Sequence, residues 1–203
     1  MAGTNRDVFV NCPFDSAYMP KFNAIVFTII RSGFRARCAR ETDDAGDVRL
    51  QKICRIIEQS GYGVHDISNT ELNGDPPLPR FNMPLELGIF LGARLLGTKK
   101  QRLKKCLVFD REKYRYQKYI SDIAGQDIHS HDDVVATLIE ELATWLRDQS
   151  GDTAVPGGRA IAREYISFAG KLGAICIARN LEQGELSFGD YTAIVVEYLK
   201  ASP

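Results

Sequence analysis

The chain has 203 residues, 44% of them hydrophobic and 26% charged, values that exclude disorder and collagen-like repeats and suit one full-sized domain with a short appendage. Its 26 basic and 26 acidic side chains cancel, which argues against an extended nucleic-acid surface, because neutralising a polyphosphate takes surplus Lys and Arg. No apolar run approaches the ~20 residues of a membrane span, and Met1 to Asp7 is polar rather than signal-peptide-like, so a cytoplasmic protein free of membranes is expected.

Val8-Phe9-Val10 predicts a first strand, broken by the turn residues Asn11-Cys12-Pro13. Met19 to Ser32 predicts a helix, with Phe22, Ile25, Val26, Ile29 and Ile30 at helical spacing and Gly33 as its stop. Phe34 to Ala39 alternates like a strand. Asp47 to Ser60 reads as a second helix and Tyr62 to Ile67 as a third strand. A loop rich in Asn, Gly and Pro runs from Ser68 to Pro79, followed by a helix over Phe81 to Leu96. Lys105 to Asp110 is the fourth strand. Tyr116 to Ala124 predicts a short helix and Asp127 to His129 a short fifth strand. Ser130 to Gln149 predicts an amphipathic helix, with Ser130 and Asp133 spaced as a capping box.

This alternation predicts a doubly wound parallel α/β sheet of flavodoxin or Rossmann type over residues 7–150. Gly151 to Gly158 reads as a linker. Residues 151–203 then form a helical extension, with helices over Arg159 to Arg179 and Ser187 to Lys200, the second opened by a Ser187/Asp190 capping pair. Two such helices cannot bury a core alone, so they pack on the domain or make an oligomer contact.

The five cysteines are odd in number, widely spaced and without a C-x-x-C pair, which predicts reduced, buried thiols rather than zinc or disulfides. Cys12 is held open as a reactive group because it ends a strand. No His/Asp/Glu cluster has metal-ligand spacing. Neither G-x-G-x-x-G nor a P-loop follows the first strand, which removes the usual dinucleotide fingerprint.

In an open parallel sheet ligands bind beyond the carboxyl ends of the strands, which selects the loops starting at Asn11, Arg40, Asp66 and Asp110. Pro84 suits a first helical turn and puts Glu86 in the first or second turn, among the apolar Leu85, Leu87, Ile89 and Phe90. Two readings stand: a carboxylate facing a partly dry cleft, or an acidic residue near a helix N-terminus that only complements the dipole. Asp66 suits ribose hydroxyls, an acid role, or a loop cap. Asn11, Pro13 and Phe14 suit a base or carboxamide, or ordinary turn chemistry. Arg80 and Asn82 flank Glu86 and suit a phosphate or the carboxylate itself, with a solvated Arg as the alternative.

Val8-Phe9-Val10-Asn11, Tyr62-Gly63-Val64-His65-Asp66-Ile67-Ser68 and Arg80-Phe81-Asn82-Met83-Pro84-Leu85-Glu86-Leu87-Gly88 together resemble a bacterial TIR-like family related to the nucleoside 2-deoxyribosyltransferases, over about Val8 to Leu146. The resemblance implies that Glu86 is the catalytic carboxylate. It implies cleavage of the nicotinamide–ribose bond of NAD in antiphage defence, with NAD as substrate, no cofactor, and a second copy or a defence-system protein as partner. The Trp-Cys pair common before that Glu is absent here. The alternatives are a non-catalytic TIR-like signalling scaffold and a nucleoside deoxyribosyltransferase or nucleotide N-glycosidase. One carboxylate suffices for NAD, whose nicotinamide leaves as a neutral molecule. A neutral base would also need an acid.

Overall fold

The computed structural model describes residues 5–41, 46–70 and 81–201. Five strands, β1 (Asp7–Asn11), β2 (Arg35–Arg37), β3 (Tyr62–Asp66), β4 (Lys105–Asp110) and β5 (His129–Ser130), form one sheet in the order β2-β1-β3-β4-β5. All four pairings are parallel, with Phe9 opposite Arg37 and Gly63, and Val64 opposite Leu107. The chain therefore winds outward from β1 in both directions, and the switch in direction falls between β1 and β3.

Helices cover both faces, so the strands are almost wholly apolar or buried, as a two-sided parallel sheet requires. On one face lie α2 (Arg49–Gln59) and α3 (Asn82–Leu96), with Ile53, Ile56 and Ile57 of α2 and Phe90 of α3 clustered on Phe9 of β1. Gly63 makes that packing possible: a Cβ there would sit 2.6 Å from the Phe90 ring and 2.7 Å from His65 Nε2. On the other face lie α1 (Met19–Arg31) and α4 (Val135–Ser150). Val8, Val10, Val64, Leu107 and Phe109 point to this side.

The C-terminal helices α5 (Gly158–Ala178) and α6 (Phe188–Ala201) pack outside α1 and share its core. Phe168 of α5 is fully buried and stacks on Phe27 of α1 at 5.1 Å between ring centroids. Tyr191 of α6 donates its hydroxyl to the Asn23 carbonyl at 2.9 Å. The Ser187/Asp190 pair is a reciprocal capping box. The Asp190 amide donates to Ser187 Oγ at 3.1 Å, and the Ser187 amide donates to Asp190 Oδ2 at 3.0 Å.

Two local expectations fail around β5. Ser130 is not the cap of α4; it is the last residue of β5, paired with Asp110, and α4 starts at Val135 after Val134 without a side-chain cap. Asp132 and Asp133 have positive φ, 49° and 58°, which turns the chain between strand and helix. The short helix expected over Tyr116 to Ala124 is instead two 3₁₀ turns, Arg115–Lys118 and Ser121–Ile123, separated by the non-helical Tyr119 and Ile120.

Phe168→Ala should cost about 3–5 kcal/mol, the range for deleting a buried aromatic side chain. The expected outcome is a single chemical-denaturation transition at lower midpoint. A separate early transition, with the main one unmoved, would mean that α5 and α6 are a detachable appendage.

Candidate active site

The carboxyl ends of β1 and β3 leave room for the first turns of α2 and α3. α3 begins at Asn82, and its fifth residue, Glu86, faces inward with Met83, Leu87 and Phe90 while Leu85 points to solvent. Asn11 sets this orientation. Its Nδ2 group donates to the Met83 carbonyl at 2.8 Å and to His65 Nδ1 at 3.0 Å, tying β1, β3 and the first turn of α3 together. His65 is fully buried between the Phe9 and Phe90 rings, and burial drives its pKa down to about 3. It is therefore a neutral packing element that accepts at Nδ1 and leaves Nε2 without a partner.

Glu86 lies at the inner wall of an open cleft of about 560 Å³, facing Cys12, Pro13 and Phe14 from the β1–α1 loop, with Asp15, Arg40, Arg49, Asn82 and Met83 also in its described lining. Only 6% of the residue is exposed. Among the described residues nothing hydrogen-bonds to its carboxylate. Burial raises its pKa to about 7, and the Arg49 guanidinium at the start of α2 opposes that shift without cancelling it. The dry surroundings come from Pro13 and Phe14 across the cleft and from Met83 one turn earlier on α3, rather than from all four of its apolar helical neighbours, since Leu85 is exposed.

Asp66 ends the adjacent strand in the opposite electrostatic condition. It is fully buried. Its Oδ2 accepts from the Tyr18 hydroxyl and from His131 Nε2 (3.0 Å), and its Oδ1 accepts from the Ser68 amide (2.8 Å). Burial alone would raise its pKa; these three donors outweigh burial and hold it below the ordinary carboxylate value. His131 accepts the Asp133 amide at Nδ1 (3.0 Å), which fixes the tautomer that donates to Asp66.

Pro13, Phe14 and Asn82 thus share the cleft with Glu86, whereas two residues expected there do not line it. Asn11 spends its donors on Met83 and His65, beneath the surface. Asp66 is sealed under Tyr18 and His131 on the α1–α4 side of the sheet. Arg80 lies outside the described residues. Cys12 reaches the cleft as a thiol. Burial, then the negative charges of Asp66, Glu86 and Asp15, push its pKa well above the ordinary value, so it is no nucleophile. The sequence reading missed Arg40 and Arg49 as lining residues. Arg40 opens one of the four selected loops, but Arg49 sits in the first turn of α2, past the end of that loop.

No group of metal-binding side chains occurs among the described residues, and no helix among them is long and apolar enough to cross a membrane. The chain matches no protein-family model, no curated protein and no solved structure.

A raised Glu86 pKa has a thermodynamic signature. The folded state holds this proton more tightly than the unfolded chain, so the stability contributed by protonated Glu86 is present at low pH. It is lost as pH climbs from about 4.3, the unfolded value, toward about 7. Glu86→Gln should remove that slope and stabilise the fold at pH 8 relative to wild type, by up to about 3 kcal/mol. Urea denaturation at pH 5 and pH 8 checks this. Equal shifts at both pH values would mean that Glu86 is not desolvated.

Proposed function

We propose that the protein cleaves the N-glycosidic bond of an NAD-type nucleotide, as an NAD glycohydrolase or ADP-ribosyl cyclase, with Glu86 as the essential carboxylate. The observation that carries this reading is a buried carboxylate, open to a cleft that Arg40 and Arg49 also line and without a hydrogen-bond partner among the described residues. Two guanidinium groups at the rim suit a diphosphate. The sheet order supports the location, since ligands of this topology bind at the β1/β3 switch. The resemblance to the TIR-like family adds antiphage defence as the setting.

The chemistry follows from the charge balance. As the C–N bond breaks, its electron pair goes to the nicotinamide nitrogen, which was cationic and leaves neutral. Positive charge develops at the ribose C1, and the Glu86 carboxylate stabilises that charge or captures it as a bond. Water then adds at C1 and releases one proton, giving the hydrolysed product. A ring nitrogen of the same substrate adding instead would give a cyclic one. The low local dielectric strengthens the Glu86–C1 attraction. The positive charge of bound nicotinamide riboside also favours the ionised form of Glu86, lowering its pKa from about 7 when the substrate arrives.

Asp66 bears on the choice between leaving groups. A neutral purine or pyrimidine gains from protonation as it departs. Asp66, the other candidate acid, is held ionised by three donors and does not line the Glu86 cleft. That favours a substrate carrying its own leaving-group charge over a nucleoside, and so favours NAD over the deoxyribosyltransferase reading.

Chromatography of products from NAD and from a panel of nucleosides tests the assignment. Glu86→Gln should lower NAD turnover by about two to three orders of magnitude, the usual loss when a positioned electrostatic group is removed. Unchanged turnover in a folded variant would refute the role of Glu86.

The pH profile provides a separate check. In wild type kcat/KM should rise with pH through about 7, because the ionised carboxylate is the working form. Arg49→Gln should move that midpoint upward, since among the described residues it deletes the one cation that opposes the burial effect on Glu86. A midpoint that stays put would remove Arg49 from the site's electrostatics.

A further inference from the structure

A second chamber, of about 780 Å³, opens between α1 and the α5–α6 pair. Among the described residues it shares two lining residues with the Glu86 cleft, Phe14 and Arg40. These two form the partition: the Arg40 guanidinium lies over the Phe14 ring at 5.8 Å from its centroid and donates to Met19 Sδ at 3.6 Å on the second-chamber side. Arg40 is exposed, so its charge is available to both spaces.

The two chambers differ in chemistry. The first holds carboxylates, Glu86 and Asp15, beside its arginines. The second has no acidic residue in its described lining. Its walls are aromatic, including Phe14, Tyr165 and Phe188, and polar groups stand among them at Asn23, Gln183 and Ser187. Flat apolar walls with a few neutral donors and acceptors suit a planar heteroaromatic ring. A cation at the junction suits a phosphate linking two halves of one ligand.

The geometry points to a two-chamber dinucleotide site, in which the diphosphate crosses the Arg40–Phe14 partition and the adenosine half is held by α1 and the C-terminal helices. This rests on the proposed NAD reading for the identity of the reacting half. It goes beyond that reading by assigning a role to α5, α6 and their connector, which select a dinucleotide over a mononucleotide with the same scissile bond. Each chamber falls within the ~300–1,000 Å³ typical of one small-ligand pocket, so a mononucleotide fills the first and leaves the second vacant.

Two substitutions fill the second chamber without touching the first. Ala169, on α5, lines it from an exposed position, so Ala169→Trp adds an indole there without disturbing the buried core. Gly184, in the α5–α6 connector, lines it too, and a Cβ at that position meets nothing within 4 Å, so Gly184→Trp is an independent second blocker.

Binding is measured by calorimetry on the full chain carrying Glu86→Gln, with NAD, nicotinamide mononucleotide and adenosine diphosphate as the probes. NAD and adenosine diphosphate should compete. Either tryptophan should weaken both by at least about tenfold, while nicotinamide mononucleotide changes by less than about twofold. The inference is overturned if both folded variants bind NAD as the parent does. It is equally overturned if the mononucleotide loses as much as NAD, or if NAD does not bind at all. The catalytic reading fails separately. Wild type that shows this binding pattern but never cleaves NAD would sink the proposed reaction and keep the two-chamber site. Cleavage of NAD undiminished by either tryptophan at limiting substrate would do the reverse.

Discussion

A single amide organises the centre of this protein. Asn11 closes β1, and its two N–H groups go to the Met83 carbonyl in the first turn of α3 and to His65 Nδ1 on β3. A buried donor left unmade costs about 1–3 kcal/mol, so the amide has strong reason to keep both partners. With Met83 fixed, the next inward-facing position of α3 is Glu86, and it must look across at the β1–α1 loop. His65 can sit beneath only because Gly63 leaves space for it and for Phe90. The arrangement of the site is thus set one layer below the surface by Asn11, His65 and Gly63, which are not in the described lining of the cleft.

The two carboxylates at the ends of the central strands illustrate how environment separates like groups. Asp66 has three donors and is locked in its charged form. Glu86 has burial without a donor among the described residues and is pushed toward neutrality. Pairs of titratable groups driven apart in this way are a mark of chemical sites. Here the well-satisfied member works as structure, pinning Tyr18 and His131 across the α1–α4 face. The unsatisfied member is left with the capacity to interact strongly with an arriving positive charge.

The parallel α/β architecture was legible because it depends on local signals: β-branched and aromatic runs for β1, β3 and β4, and helical spacing of apolar residues in α1, α2 and α4. The misreadings lie where distant pairing decides. Ser130 has the spacing of a helix cap, but Asp110 on β4 recruits it into the sheet. In the site, the strand-end rule named the right loops without saying which side of the sheet each side chain takes. Asn11 and Asp66 both end strands. Their partners, 72 residues away for Asn11 and Met83 and 65 for Asp66 and His131, consume their hydrogen-bonding capacity. Glu86 was marked by Pro84 and its helical position. Arg49 carried no local mark, because its relevance comes from α2 and α3 lying side by side on one face.

The central claim is that Glu86 is a desolvated carboxylate that meets a cationic substrate. Carbon-13 NMR titration of the Glu86 side-chain carboxyl, with and without NAD, addresses it most directly. A midpoint near 7 is expected in the free protein, and a lower midpoint once NAD is bound. A midpoint near the ordinary glutamate value of about 4.3, unmoved by NAD, would contradict it.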